Sequence, residues 1–310
     1  MSNQIEKVIV IGGGGNIGPF IIDELQNAGF EVAVLSRTSS SSVFPPNVVV
    51  HRTNYGEASL IEIFRGFDAV VSAVATFSTD QQKTIIDAAV HAGIKRFLPS
   101  EYGIDSSLSQ FAEALSFESV KKQETVEYLK GKESTQMSWT ALCVGAFFDW
   151  VLKVGGGLMG WDIPARKATI YDSGNQPYEA TNVRQIGRAV AGILKHPKET
   201  ENKYVYVNSF TLTQNQVLAA IERESGERFQ VTRMTTTELR DEGYRNVEEG
   251  NLGLGFPQVV SSAIYGYGGL NNFSASKELA NALLQLPEER LEETIEEVLK
   301  ERDVPLQRRT

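Results

Sequence analysis

Short apolar runs alternate with longer stretches of helical period through much of the chain. The runs at 8–11, 31–35, 48–50, 69–74, 96–98 and 139–144 are rich in Val, Ile, Leu and Ala and bounded by glycine or polar residues. They read as buried strands. Between them, 17–28, 57–65, 80–92 and roughly 117–130 repeat apolar residues at helical spacing. This alternation predicts parallel strands joined by right-handed helical crossovers. Gly29, Gly66 and Gly93 each fall after a helix and before a strand, where a helix cap belongs. The expected fold is α/β, a Rossmann doubly wound parallel sheet, with ligands held beyond the C-terminal strand ends.

The second half is less regular. A helix is expected over 183–194, a strand over 204–207 and a helix over 215–225. Leu291, Ile295, Val298 and Leu299 lie at helical spacing in the acidic stretch 288–303, predicting an amphipathic surface helix opened by Pro287. The glycines at 155–157 and 160 form a connection without a Gly-Lys-Ser/Thr signature. The segment 261–273, SSAIYGYGGLNNF, reads either as a mobile wall over a substrate or as an ordinary surface loop. Residues 1–154, with a strand and helix from about 181–210, are expected to form the dinucleotide-binding domain. Residues 155–310 mainly form a smaller substrate-binding lobe and C-terminal helices.

The most informative motif is 7–18, KVIVIGGGGNIG. A strand breaks into glycines and re-enters a helix, the context that gives a glycine pattern meaning. Gly12, Gly13, Gly14, Gly15, Asn16, Ile17 and Gly18 are therefore expected to cradle a pyrophosphate at a helix N-terminus. At the end of the second strand an NAD site carries a carboxylate for the ribose hydroxyls. Here Arg37 stands instead, with Thr38 and the following serines as further donors, which points to the 2′-phosphate of NADPH. Asn54, after the third strand, suits either the adenine edge or a simple turn. Ser72, Ala73 and Ala75 are small beside Val74, leaving room for close cofactor approach or for packing.

Composition narrows the function. Of 310 residues, 41% are hydrophobic, enough for a sizeable core. With a net charge of −9 and no recurring basic face, no nucleic-acid partner is expected. Cys143, the only cysteine, lies in an apolar run and reads as a buried small hydrophobe. The N-terminus lacks a signal segment, and no stretch approaches the ~18 apolar residues of a membrane span. A cytoplasmic protein is expected, with a homodimer among its assemblies. The three histidines show no metal-ligand spacing, so no metal is expected. Tyr128 and Lys132 match Tyr-x-x-x-Lys, but Gly131 breaks the helix between them and the match reads as chance.

The run Arg96-Phe97-Leu98-Pro99-Ser100-Glu101-Tyr102-Gly103, with the N-terminal glycine pattern, closely resembles the NmrA-like, isoflavone-reductase-like branch of the atypical short-chain dehydrogenases. Gly145-Ala146-Phe147-Phe148-Asp149-Trp150 and Ala180-Thr181-Asn182 look like its fungal members. The resemblance implies an enzyme that passes hydride from NADPH to a small aromatic or conjugated secondary metabolite. It places Ser100, Glu101, Tyr102, Gly145 and Phe147 with Ala73 and Val74 beside the cofactor. The family's lysine acid or base falls on Lys122, or on Lys121 if the register slips by one. A desolvated lysine near a cationic nicotinamide exchanges protons near neutrality, whereas Glu118 at i−4 also permits an ordinary ion pair. Phe147, Phe148, Trp150 and Trp161 are the expected substrate aromatics, unless they serve core packing. Tyr102 and Gln123 depart from the family pattern of Phe and a small residue. The alternative is a non-catalytic NADP-binding redox sensor or transcriptional co-regulator of the NmrA type.

Overall fold

A computed structural model describes residues 4–75, 81–115, 120–266 and 270–301. Its main sheet is built from β1 (Lys7–Ile11), β2 (Glu31–Arg37), β3 (Val49–Thr53), β4 (Ala69–Ser72), β5 (Arg96–Leu98), β6 (Ser138–Cys143) and a late strand over Lys203–Tyr206. Every pair in it is parallel, in the order late strand, β6, β5, β4, β1, β2, β3. The order reverses at β1, so a crevice opens between the ends of β1 and β4.

Successive side chains of β1 feed two cores. Val8 and Val10 pack with Ile21, Ile22 and Leu25 of α1 (Gly18–Asn27) and with Ile186 and Val190 of a helix over Val183–Lys195. Ile9 and Ile11 face the opposite layer, with Leu60 of α2 (Glu57–Phe64) and Ile85 of α3 (Gln82–Ala92). A short helix, α4 (Ser109–Ala114), precedes α5 (Val120–Lys130), whose Val126 and Leu129 join that second core. A strand with both faces covered reads as a continuous apolar run, as these do. Gly29, Gly66 and Gly93 have φ of +91°, +89° and +84°, as helix-ending glycines require.

After β6 the chain enters smaller sheets. β7 (Ala146–Phe147), α6 (Phe148–Val154), β8 (Trp161–Asp162), β9 (Lys167–Tyr171) and β10 (Tyr178–Thr181) follow. The chain then returns to the main sheet through α7 (Val183–Lys195) and its edge strand β11 (Lys203–Tyr206), before β12 (Phe210–Leu212), α8 (Gln214–Ser225) and β13 (Gln230–Met234). The small sheets run β12-β10-β7 and β13-β9-β8. A third core around Trp161, Tyr178, Ile170 and Phe148 lies among them. α9 (Thr236–Glu248) and α10 (Leu252–Gly266) pack as a pair, and α11 (Leu291–Glu301) closes the described chain.

Several expected boundaries move. The fourth strand stops at Ser72 rather than 74. Asp80 and residues 117–119, assigned to helices, lie outside the described residues. Ser261–Gly266 is not a loop but the end of α10, and Ser261 through Tyr265 are buried. The polar composition misleads because the hydroxyls are satisfied locally. Ser261 Oγ donates to Pro257 O (2.7 Å), Ser262 Oγ to Val259 O (2.7 Å) and Tyr265 OH to Met159 O (3.2 Å). Tyr267, Gly268 and Gly269 of that segment lie outside the described residues. The last helix starts at Leu291 instead of at Pro287, whose carbonyl accepts from Gln185 Nε2 (2.8 Å). Among the described residues, no helix is long and apolar enough to cross a membrane.

Candidate active site

The glycine turn lies at the reversal of strand order. Gly12 has φ of +81°, and a Cβ there would collide with the Ala73 carbonyl. Gly18 is buried where α1 begins, and a Cβ would stand 2.5 Å from the carbonyl oxygens of both Gly12 and Gly13. Helix and turn thus meet at backbone distance. Pro19 occupies the first turn of α1, where a missing N–H costs nothing. Gly14, Gly15 and Asn16 are exposed above the helix N-terminus, whose first N–H groups lack intrahelical acceptors.

A cleft of about 470 Å³ runs from this turn to the end of β2. Gly12 to Gly15 line it with Arg37, Ser40, Ser42, Phe44, Tyr55 and Val74, and among the described residues no carboxylate lines it. The Arg52 guanidinium donates to the carbonyls of Arg37 (3.3 Å), Ser40 (2.7 Å) and Ser42 (3.5 Å), holding this loop over the turn. Tyr55 has φ of +64°; burial raises its phenol pKa, with the nearby Arg37 opposing. A helix N-terminus, a guanidinium and two hydroxyls are the donors that a phosphorylated dinucleotide requires. Thr38 and Asn54 do not line the cleft. Thr38 N–H donates to Thr53 O (3.1 Å), and Asn54 Oδ1 accepts from Gly56 N–H (3.1 Å), closing the turn into α2.

Gly15, Ala73, Val74 and Ala75 also line a second cavity of about 460 Å³. Asn16, Ile17, Ser100 and Tyr102 continue its cofactor side, with Gly145 and Phe147 opposite. Phe111 and Leu115 follow from the α4 segment, Trp150 and Val151 from α6, and Phe256, Pro257, Val260 and Ile264 from α10. Among the described residues, Lys122 is the one charged side chain that lines it. Phe148 and Trp161 do not reach the cavity; both are buried in the third core, Phe148 edge-on to Phe210. Continuous apolar neighbours there account for what their sequence could not distinguish.

Lys122 Nζ donates to the Glu101 backbone carbonyl (2.7 Å). Burial lowers the amine pKa, while the Glu101 carboxylate and Cys143 oppose that shift. Lys121 does not line the cavity, and its carbonyl accepts from Thr125 Oγ1 (2.7 Å). Glu118 lies outside the described residues. The Glu101 side chain is 1% exposed and turns away from the cavity. Burial pushes its pKa up to about 7, with Lys122 and a hydrogen bond from Ser106 opposing and Asp105 adding. Tyr102 OH is buried without a partner among the described residues, and desolvation raises its pKa strongly. Ser100 Oγ is spent on Val74 O (2.7 Å), which ties the ends of β4 and β5 together. Gly145 N–H donates to Gly103 O (3.0 Å), joining the segment after β5 to that after β6.

The Tyr128–Lys132 pair lies elsewhere. Tyr128 OH donates to both Asp87 oxygens (2.9 and 2.7 Å), and Lys132 Nζ pairs with the same carboxylate at 2.7 Å. It is an ion-pair cluster bridging α3 and the end of α5. Ser40 and Ser42, among the serines expected after Thr38 as further donors, line the cleft, whereas sequence reasoning missed Phe44 and Tyr55, which the same loop and one turn bring there. On α10, Ile264 falls in the segment 261–273 that was expected either as a wall over a substrate or as a surface loop, whereas Phe256, Pro257 and Val260 precede that segment and were missed.

A parallel sheet with a glycine turn at its switch point defines a Rossmann-type dinucleotide-binding protein. The NmrA-like family profile matches residues 4–274, and the chain belongs to that family. It is 34% identical over 299 residues to the oxidoreductase aprR of Aspergillus flavus, spanning 95% of this chain and 99% of the relative. The isoflavone reductase homolog P3 of Arabidopsis thaliana is 25% identical over 289 residues, spanning 87% and 90%. Among solved structures, AtPrR2 with NADP+ and (+)pinoresinol superposes with a TM-score of 0.76 at 24% identity, covering 96% of this chain and all of that one.

Proposed function

We propose that this protein is an NADPH-dependent reductase that passes hydride to a small aromatic or conjugated secondary metabolite, with Lys122 as general acid–base. The observation that carries this reading is the Lys122 amine in the wall of an apolar cavity continuous with the glycine-turn cleft. NADPH, when bound, supplies the hydride. The helix N-terminus of α1 would hold the pyrophosphate, and Arg37 with Ser40 and Ser42 the 2′-phosphate. Lys122, its ammonium form disfavoured by burial, gives or takes a proton at the substrate atom beside it. The apolar walls exclude water, which strengthens that interaction. They also favour a neutral, ring-bearing substrate, since among the described residues the cavity offers no second charge beside Lys122. The names of the relatives, an isoflavone reductase homologue and a pinoresinol complex, agree with that class. A redox sensor would need the cleft but neither the second cavity nor its lysine. The reduced, buried Cys143 suits a cytoplasmic setting.

The test has two parts. Fluorescence titration with NADPH, NADH, NADP⁺ and NAD⁺ is expected to favour NADPH, and NADPH oxidation is then followed with a panel of lignans, isoflavonoids and simple quinones. Lys122→Ala should lower turnover about 10²–10⁴-fold while NADPH affinity stays nearly the same. Unchanged turnover removes the lysine from the mechanism. Equal affinity for oxidised and reduced cofactor, with no acceptor reduced, favours the sensor.

A further inference from the structure

The segment 39–47, SSSSVFPPN, leaves β2 without helix or strand and carries Ser40, Ser42 and Phe44 to the dinucleotide cleft. Such a polar run has little apolar surface to hold it in one conformation. Val43 is 93% exposed, so Phe44, packed on the core of Ile22 and Val34, is its apolar anchor. The polar anchor is Arg52, from the edge strand β3. Its Nη1 donates to the carbonyls of Arg37 (3.3 Å) and Ser40 (2.7 Å), and its Nη2 to that of Ser42 (3.5 Å). The other hydrogen bonds of the segment are local. Ser40 N–H donates to Arg37 O (3.0 Å), Ser42 N–H to Ser40 Oγ (3.2 Å), and Val48 N–H to Pro45 O (3.0 Å). Among the described residues, only the bonds from Arg52 tie 39–47 to anything beyond its immediate flanks. Arg52 forms no ion pair among the described residues and does not line the cleft. The clamped segment lies on the glycine turn, where a Cβ on Gly14 would stand 2.5 Å from Ser42 Oγ. Ser42 Oγ accepts from Ser40 Oγ (3.2 Å), which leaves its own proton to donate.

We propose that Arg52 sets the preference for NADPH over NADH without touching the cofactor, by clamping Arg37, Ser40 and Ser42 into one preformed anion site. The proposal rests on the reading of this cleft as the NADPH site, with the 2′-phosphate at Arg37 and the two serines. With three carbonyls held by one guanidinium, the phosphate meets donors already in place. Without the clamp, the segment must be ordered at the moment of binding, and that entropy opposes the phosphorylated cofactor alone. NADH has no 2′-phosphate and does not call on the segment. Arg52 is therefore a positioning residue, acting through Arg37 and the serines. The planar fork matters as well as the charge. A lysine carries the same charge on a single ammonium, which cannot hold three carbonyls in one fixed arrangement.

The clamp is tested first without cofactor, by amide hydrogen exchange of the full chain read by mass spectrometry. Arg52→Ala should exchange the amides of 39–47 several-fold faster than wild type, with peptides of β1 and α1 unchanged. Equal exchange in 39–47 overturns the clamp. Fluorescence titration with NADPH and NADH then reads its consequence. Arg52→Ala should raise the NADPH Kd roughly tenfold and leave the NADH Kd in place, a selective change that general loosening of the fold would not give. Arg52→Lys should resemble Arg52→Ala. A lysine that restores the full preference assigns the effect to charge alone and overturns the proposal. In an Arg37→Ala background, removing Arg52 should raise the NADPH Kd by a smaller factor than in wild type, because part of what it positions is gone. Full additivity overturns its action through Arg37. A wild-type chain that does not favour NADPH overturns the cofactor reading and this proposal together, whereas a preference that survives Arg52→Ala overturns this proposal alone.

Discussion

Arg37 stands where a carboxylate would repel a 2′-phosphate, and among the described residues no other cation lines that cleft. Arg37→Ala should weaken NADPH binding by about 1.5–3 kcal/mol, the worth of a hydrogen bond to a charged group, while NADH binding barely changes. Titration of both cofactors checks it. Glu101 makes a second prediction. Its folded pKa of about 7 lies above its ordinary value of 4.5, so the folded chain holds the extra proton between them. Stability therefore falls as pH rises through that window, by a few kcal/mol at the order of magnitude. Lys122 is shifted the other way, so its contribution grows as pH rises toward 10.5. Glu101→Gln should flatten the descent between pH 4.5 and 7 in urea midpoints while leaving the alkaline limb. At this scale the placement of the glycines and Arg37 on the cleft and of Lys122 on the cavity was legible, because each has a chemistry that few residue types supply. Asn54 was not, since an amide that reads an adenine and one that closes a turn look alike in sequence.

Elements were legible in proportion to their length and burial. β1, β2 and β4 carry continuous apolar runs because helices cover both faces. β7 and β8 have two residues each, too few for any period, and β13 is mostly exposed. α10 was hidden by serines and glycines that serve its burial: Gly255 sits 2.5 Å, as a would-be Cβ, from the Gly243 carbonyl of α9. Bulk there pushes the two helices apart. Gly255→Val should therefore lower stability by about 1–3 kcal/mol and loosen the cavity wall, raising substrate KM more than NADPH Kd. Trp161→Ala, in the core under β9, should cost about 3–5 kcal/mol by urea unfolding yet leave cofactor affinity intact in the folded fraction. A substrate KM raised at unchanged NADPH affinity in that variant would return Trp161 to the substrate aromatics.

For the whole molecule, the doubly wound sheet was readable from alternation alone, but the path of the chain through the smaller sheets was not. Pairings such as β7 with β10 and β10 with β12 join distant segments through only two or three residues each. The cavity inherits that dispersal. Its walls come from residues 15–17, 73–75, 100–122, 145–159 and 256–264. A single recombination point anywhere between 17 and 256 thus splits the substrate cavity between two parents. A change of cavity shape in this fold therefore calls for coordinated substitutions in segments far apart along the chain.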